Sequence, residues 1–522
     1  MNTTEFLDIA SAIAPDRLAL VFEDKRFTFE QLNDRINRLA SALADLGVKK
    51  GDTVGLIQVN TNQCIETYFA TAKVGGVYVP INFRARPNEF NYMINTADIK
   101  VILAGDRYVP ILDGMRADLP KVEKYVSLDI EKEGWLNYEE LIKNSSADPP
   151  YVESDDNDLT ILMYTAGTTG FPKGVMLNHS SFTSYVLANV TPIDPDTRES
   201  NILTVPLYHI AGIQAIMAAI YGGRTVVIER QFDPVEWMTL VETEKVNRAM
   251  MVPTMLKQLM DHEEFRKHDL SSLKVITYGA APMPLEVISK AIDEFPNTQF
   301  INAFGQTETA ATITALAPED HVIDKSKPDW EKRLKRLGSV GKPLADVEIK
   351  VVNEDGQDVA PGEVGEVTAR GSRVMAGYWR DEAKTAQTKK GGWIYTGDLG
   401  YFDDEGYLFL AGRASDVIIR AGENISPEEV EAVLNQHPAV EESAVFGIED
   451  VTWGELIGAA VVVRKDVDTP TDQELIEFTR QRLSSYKKPE YVYFVDELPR
   501  NPMGKVLKRE LKATYAQKQP AS

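Results

Sequence analysis

RTVVIERQFDPVEWMTLVETEKVNRAMMVP, Arg224 to Pro253, decides the fold class. RTVVIE (Arg224 to Glu229) reads as a short strand, a helix starts at Asp233, and VNRAMMVP (Val246 to Pro253) reads as the next strand. The rhythm continues in LKVITYGA (Leu273 to Ala280) and TQFINAFG (Thr298 to Gly305). It is already present near the start. Thr28 and Gln31 form a capping-box pattern, Leu32, Ile36, Leu39 and Leu43 follow at helical spacing, and Gly47 sits where a helix stops. A strand at Val54 to Val59, a helix around Ile65 to Val74, then VYVPI (Val77 to Ile81) and KVILA (Lys100 to Ala104) repeat the alternation. Strand–helix alternation implies parallel sheets covered by helices, an α/β class, with ligands at the carboxyl ends of the strands.

From about Val340 the texture changes. VEIKVVNEDGQDVAPGEVGEVTARG predicts short strands joined by Gly, Asp and Pro turns, hence a small β-rich subdomain. After Gly412 a further α+β pattern opens with a well-marked helix: Ser426 as N-cap, Pro427 at N1, Glu429 at N3, Pro438 past the end. The expected division is a large domain over residues 1–412, a hinge at 413–416 and a small mobile domain over 417–522.

The 522 residues exceed one core, since cores stop growing at roughly 250–300 residues. With 43% hydrophobic and 26% charged residues the chain is globular rather than disordered. A formal net charge of -23 argues against nucleic acid and against an anionic membrane surface. Any polyanionic ligand therefore needs a local cationic or backbone-amide site. The single cysteine, Cys64, excludes an internal disulfide and a cysteine metal cluster, and a reducing cytoplasmic setting is expected. The start shows no basic segment followed by an apolar one, so no signal peptide is expected. Leu203 to Tyr221 is long and apolar, but Pro206, His209, Gly212 and Gln214 interrupt it, which predicts a buried core segment rather than a membrane span.

The strongest chemical signal is YTAGTTGFPKGV, Tyr164 to Val175. A strand feeds a loop whose glycines Gly167 and Gly170 let amides turn toward an anion. Hydroxyls of Thr165, Thr168 and Thr169 add donors and Lys173 adds charge, which suits a polyphosphate. It lacks the spacing of a Walker A motif. Taken alone, it reads equally as a surface turn. The segment resembles the signature loop of the adenylate-forming superfamily, which contains acyl-CoA synthetases, adenylation domains and beetle luciferases; Ala166 stands where that pattern has serine. The resemblance recurs in the family's order over nearly the whole chain.

YGAAPMP (Tyr278 to Pro284) resembles the segment along the adenine and acyl pocket, with Gly279, Ala280 and Ala281 at the nucleotide. NAFGQTET (Asn302 to Thr309) resembles the next motif. There the resemblance implies Phe304 and Gly305 against the adenine, Thr307 on the α-phosphate, and Glu308, with Thr168, on Mg2+. A ring suits a purine and a hard carboxylate suits a hard cation. YTGDLG (Tyr395 to Gly400) is expected to hold Asp398 in a tight turn, and the resemblance implies that Asp398 and Arg413 grip the ribose. LAGRASDVIIRAGENISPEEVE (Leu410 to Glu431) resembles the interdomain segment, with Ser415 where Asp or Lys is usual at the hinge and Gly422 in the thiolation loop. LPRNPMGKVLKREL (Leu498 to Leu511) resembles the final motif, with Lys505 as mobile catalytic lysine. PLYHIAG (Pro206 to Gly212) implies that His209 borders the carboxylate and the coenzyme A tunnel.

By resemblance the chain is an ATP- and Mg2+-using ligase that makes an acyl-adenylate and passes the acyl group to coenzyme A. The implied acyl pocket (His209, Ile210, Gly212, Tyr278, Ala303, Thr309) is apolar with no fixed cation. It fits a medium- or long-chain fatty acid, or a cyclic or aromatic acid. Delivery to a carrier protein is the alternative, and a noncatalytic nucleotide-binding scaffold is the reading from another class. A homodimer is left open.

Overall fold

The computed structural model describes residues 1–165, 172–413, 416–420, 423–450, 453–465, 467–483, 485–500 and 506–515. Two compact units divide the chain: residues 1–349 with 369–395, and residues 350–368 with 396–522.

In the first unit the capping box forms as the sequence predicts. Thr28 Oγ1 accepts the Gln31 amide at 3.2 Å and Gln31 Oε1 accepts the Thr28 amide at 3.0 Å, opening helix Phe29–Asp45. Leu32, Ile36, Leu39 and Leu43 are its buried stripe, each worth about 1.5–3 kcal/mol once removed from water. The helix ends before Gly47, whose φ of +92° only glycine adopts cheaply.

Two sheets carry the unit. One has nine described strands, in the order Lys342–Pro343, Ala311–Leu316, Gln299–Gln306, Val275–Gly279, Arg248–Met251, Ser200–Leu203, Thr225–Ile228, Leu18–Phe22, Lys25–Thr28. The six from Gln299–Gln306 to Leu18–Phe22 are parallel. The other runs Gly377–Tyr378, Lys173–Asn178, Leu159–Thr165, Val77–Pro80, Thr53–Ile57, Ile99–Ala104, Lys124–Ser127, Leu136–Asn137. Alternate residues of strand Ile99–Ala104 enter different cores: Val101 and Leu103 join one cluster, Ile102 and Ala104 the other. Both faces are covered, so these strands read as continuous apolar runs.

The stretch weighed as a membrane span runs from Leu203, the last residue of strand Ser200–Leu203, into the largely buried helix Ile210–Tyr221. No described helix is long and apolar enough to cross a membrane. Cys64 is buried, its Sγ donates to the Val59 carbonyl at 3.2 Å, and burial pushes its thiol pKa up to about 11.

In the second unit, strand Gly454–Val463 pairs antiparallel with Val440–Asp450 and parallel with Tyr491–Phe494. Helix Pro427–Leu434 starts with Ser426 as N-cap and Pro427 at N1, as predicted. The Ser426 hydroxyl, however, donates to Glu428 Oε2 at 3.0 Å and makes no capping bond. Asp398 departs from expectation. It lies inside strand Trp393–Phe402 rather than in a tight turn. Gly397 (φ +71°) and a register shift at Leu399/Gly400 absorb the irregularity that made the segment read as a turn.

Candidate active site

Strands Leu159–Thr165 and Lys173–Asn178 form a hairpin in which Thr165 stands directly opposite Lys173. Gly167, Thr168, Thr169 and Gly170 lie outside the described residues, but both anchors of their loop are fixed. The Lys173 ammonium lies 5.7 Å from the centroid of the Tyr378 ring. Desolvation lowers its pKa, as does Lys384, against the pull of Glu308 and Asp381. Tyr378 donates its hydroxyl to Glu308 Oε1 at 2.9 Å, and the Glu308 carbonyl accepts the Met375 amide at 2.9 Å. A cation, a phenol and a carboxylate, from positions 173, 378 and 308, are thereby assembled at one place. A cleft of about 480 Å3 adjoins them, lined by Met176, Tyr378, Trp379, Arg380 and Thr385 among others.

Glu308 belongs to a knotted turn. Strand Val275–Gly279 and strand Gln299–Gln306 are neighbours, and a Cβ on Gly279 would lie 2.1 Å from the Ala303 carbonyl oxygen. One on Gly305 would lie 1.6 Å from that of Ala311. Only glycine permits these approaches. Ala280 (φ +66°), Ala310 (φ +49°) and Ala311 (φ +73°) adopt the left-handed region, at about 1–2 kcal/mol each, and strain of this kind gathers at functional sites. Ala280 and Ala281 are exposed beyond the carboxyl end of their strand. Thr307 and Glu308 are half-buried in the short helix Thr307–Thr309.

Other pocket candidates have commitments of their own. Thr309 is fully buried and its hydroxyl donates to the Gln306 and Ala311 carbonyls at 3.1 and 2.9 Å. Tyr278 is fully buried with its hydroxyl on His321 Nε2 at 2.9 Å. Ala303 is buried. Phe304 is partly buried and packs against the cluster of Ile313, Val347 and Ala369.

His209 is the N-cap residue of helix Ile210–Tyr221, where Ile210 and Gly212 make the first turn. Its ring lies 4.0 Å from that of Tyr208. Burial pushes its pKa down to about 3, so the imidazole is neutral at physiological pH. Nε2 is shut off from solvent and has no partner among the described residues.

In the second unit Asp398 and Arg413 stand opposite each other across antiparallel strands, joined by an ion pair of 2.7 Å. The two residues expected at the ribose are thus brought together. Ser415, Gly422 and Lys505 lie outside the described residues. Downstream of Lys505, Lys508 pairs with Glu431 at 2.8 Å and Glu428 at 3.3 Å, and Leu507 donates its amide to the Pro499 carbonyl at 2.7 Å.

Among the described residues no cluster of three or more His, Cys, Asp or Glu forms a metal cage. One half-buried carboxylate oriented by a phenol fits Mg2+, which takes one or two protein carboxylates and fills its octahedron with phosphate oxygens and water. Tyr378 was missed in the sequence: a Gly-Tyr-Trp run carries no ligand pattern, and only the sheet edge brings it to Glu308.

A two-unit α/β chain with a Gly/Thr loop and a carboxylate beyond its strand ends defines a nucleotide-using enzyme. The chain belongs to the AMP-binding enzyme family, which matches residues 7–379, with the AMP-binding enzyme C-terminal domain over residues 429–505. Within the adenylate-forming superfamily it falls in the acyl-CoA synthetase branch. The 2-succinylbenzoate–CoA ligase of Bacillus licheniformis is 34% identical, covering 98% of this chain and 100% of that protein. A long-chain-fatty-acid–CoA ligase of Mycobacterium tuberculosis is 33% identical, covering 94% of each. The solved o-succinylbenzoate CoA synthetase of Bacillus subtilis, in complex with its acyl-adenylate intermediate, superposes with a TM-score of 0.82 at 31% identity over 98% of each chain.

Proposed function

We propose that this chain is an ATP-dependent carboxylate–CoA ligase that acts through an acyl-adenylate, on a medium- or long-chain fatty acid or a cyclic or aromatic acid. The observation that carries the reading is the group of Lys173, Tyr378 and Glu308, in which Lys173 opens the strand that follows the Gly/Thr segment. In the first step a carboxylate oxygen attacks the α-phosphorus and the bond to pyrophosphate breaks. Two anions must meet, so the protein's task is to hold phosphate charge. Lys173 and the loop amides and hydroxyls do this, Thr307 contacts the α-phosphate, and Lys505 bridges carboxylate and α-phosphate. Glu308, with Thr168, is assigned to Mg2+, which when bound screens the phosphates and steadies the pyrophosphate leaving group. Asp398 and Arg413 are assigned to the ribose. Next the thiol of coenzyme A attacks the acyl carbon, the acyl–phosphate bond breaks, and AMP leaves. Residues 413–416, centred on Ser415, are the proposed hinge between a large domain, 1–412, and a small one, 417–522, with Gly422 in the loop serving this second step.

The neutral state of His209 matters here. It cannot balance the substrate carboxylate as a cation, so its role is hydrogen bonding through Nε2. Ile210, Gly212 and Ala303 add no fixed charge to the acyl side, which supports an acid with an apolar body. The two relatives' names divide between an aromatic acid and long-chain fatty acids, and the residues here leave both classes in view.

ATP–pyrophosphate exchange across a panel of acids tests the first step, and thioester formation with free coenzyme A tests the second. Exchange that never depends on an added acid would refute the proposal; exchange without a coenzyme A thioester would move the reading to a carrier-protein partner. A cytoplasmic location and a homodimer belong to the proposal as well, tested by fractionation and by light scattering.

A further inference from the structure

Gln214 lies in the second turn of helix Ile210–Tyr221 and is buried. A buried amide facing a substrate would be expected to read a polar group on it. Here both ends of the amide are committed to protein. Nε2 donates to the Ala310 carbonyl at 3.4 Å, and Oε1 accepts the Thr312 hydroxyl at 3.0 Å. These two contacts bracket the left-handed pair Ala310 and Ala311, the strained end of the turn that carries Thr307 and Glu308. From outside, the Met375 amide and the Tyr378 hydroxyl also hold Glu308, and within the turn the contacts are local. Thr309 Oγ1 bonds the Gln306 and Ala311 carbonyls, the Ala310 amide bonds the Thr307 carbonyl, and Gly305 lets the Ala311 backbone come against it.

We infer that Gln214 is a positioning residue: its amide pins the strained Ala310–Thr312 backbone to the helix that begins at His209, and so fixes where Glu308 presents its carboxylate. Strained backbone persists only where its surroundings over-determine it, and Gln214 supplies two such constraints from outside the turn. One helix then bears on both halves of the reaction. His209 at its first turn borders the acid, and Gln214 a turn later sets the metal-facing carboxylate.

The inference rests on the assignment of Glu308 to Mg2+, and the test separates the two. ATP affinity is measured by isothermal titration calorimetry, with and without Mg2+, for the full chain and for Gln214→Met, Thr312→Val, Glu308→Gln and Gln214→Met combined with Glu308→Gln. Methionine keeps the length of the side chain and loses both hydrogen bonds; Thr312→Val is the milder variant should Gln214→Met fold poorly. The expected result is a three- to tenfold rise in Kd in the presence of Mg2+ for both, under twofold without it, and under twofold added by Gln214→Met on top of Glu308→Gln. Equal weakening with and without Mg2+, or effects of Gln214→Met and Glu308→Gln that multiply in full, would overturn the positioning role while leaving the Glu308 assignment standing. A Glu308→Gln protein that binds Mg·ATP normally would overturn both.

Discussion

Glu229→Gln offers a sharp test of the electrostatics in the interior of the first unit. Glu229 follows strand Thr225–Ile228 and is fully buried. Oε1 accepts the Asp233 amide at 2.8 Å, while Oε2 has no hydrogen-bond partner among the described residues. Burial, opposed in part by the Asp233 amide, lifts the carboxyl pKa from its ordinary 4.5 to about 8. The unfolded chain therefore releases this proton near pH 4.5 and the folded chain only near pH 8. Between those values the folded state binds the extra proton, so each rise in pH favours unfolding. The contribution is fully present below pH 4.5, falls through the window and levels off above pH 8. At about 1.4 kcal/mol per tenfold change in proton concentration, the ceiling is ~5 kcal/mol, and relaxation of a buried site brings the expected size nearer ~2–3 kcal/mol. Glutamine cannot ionise but still accepts the Asp233 amide. Thermal unfolding followed by tryptophan fluorescence from pH 5 to pH 9 reads the difference; Trp237, buried on the helix that Asp233 caps, reports on this region. The two proteins should unfold together near pH 5, and the glutamine variant should unfold at the higher temperature by pH 8.5. Parallel profiles across the whole range would show that Glu229 is ionised in the folded chain and the reasoning wrong.

Four further outcomes are expected. Lys505→Ala should abolish acid-dependent ATP–pyrophosphate exchange yet spare thioester formation from supplied acyl-adenylate, and equal loss of both steps would remove that lysine's role. Asp398→Ala should raise KM for ATP roughly 10–100-fold, the worth of one or two charge-assisted hydrogen bonds, with kcat changed less; an unaltered KM would detach the Asp398–Arg413 pair from the ribose. Gly305→Ala, whose new Cβ meets the Ala311 carbonyl at 1.6 Å, should cost ~1–3 kcal/mol of stability and disable adenylation, whereas Cys64→Ser, at a buried thiol, should leave turnover within a factor of two in the same exchange assay.

Much of the molecule was legible before any coordinate. The capping box at Thr28, the proline-led helix after Ser426 and the apolar runs at 99–104 and 225–228 are local signals, and local physics made them. Likewise the order of motifs from Tyr164 to Leu511 resembles that of the adenylate-forming superfamily, and the family match over residues 7–379 and 429–505 bears the resemblance out. Asp398 shows where such reading stops: Gly-Asp signals a turn, but pairing with strand Leu408–Arg413 overrides it.

Sequence alone determined which chemical groups the chain owns and in what order. Tertiary structure decided which of them meet and what their surroundings do to them. Tyr378 reaches Glu308 across 70 positions, Gln214 reaches Thr312 across 98, and Glu229 keeps its proton because folding removes it from water. Contacts and desolvation are properties of neighbours in space, and neighbours so distant in the chain leave no periodicity or spacing by which to be read.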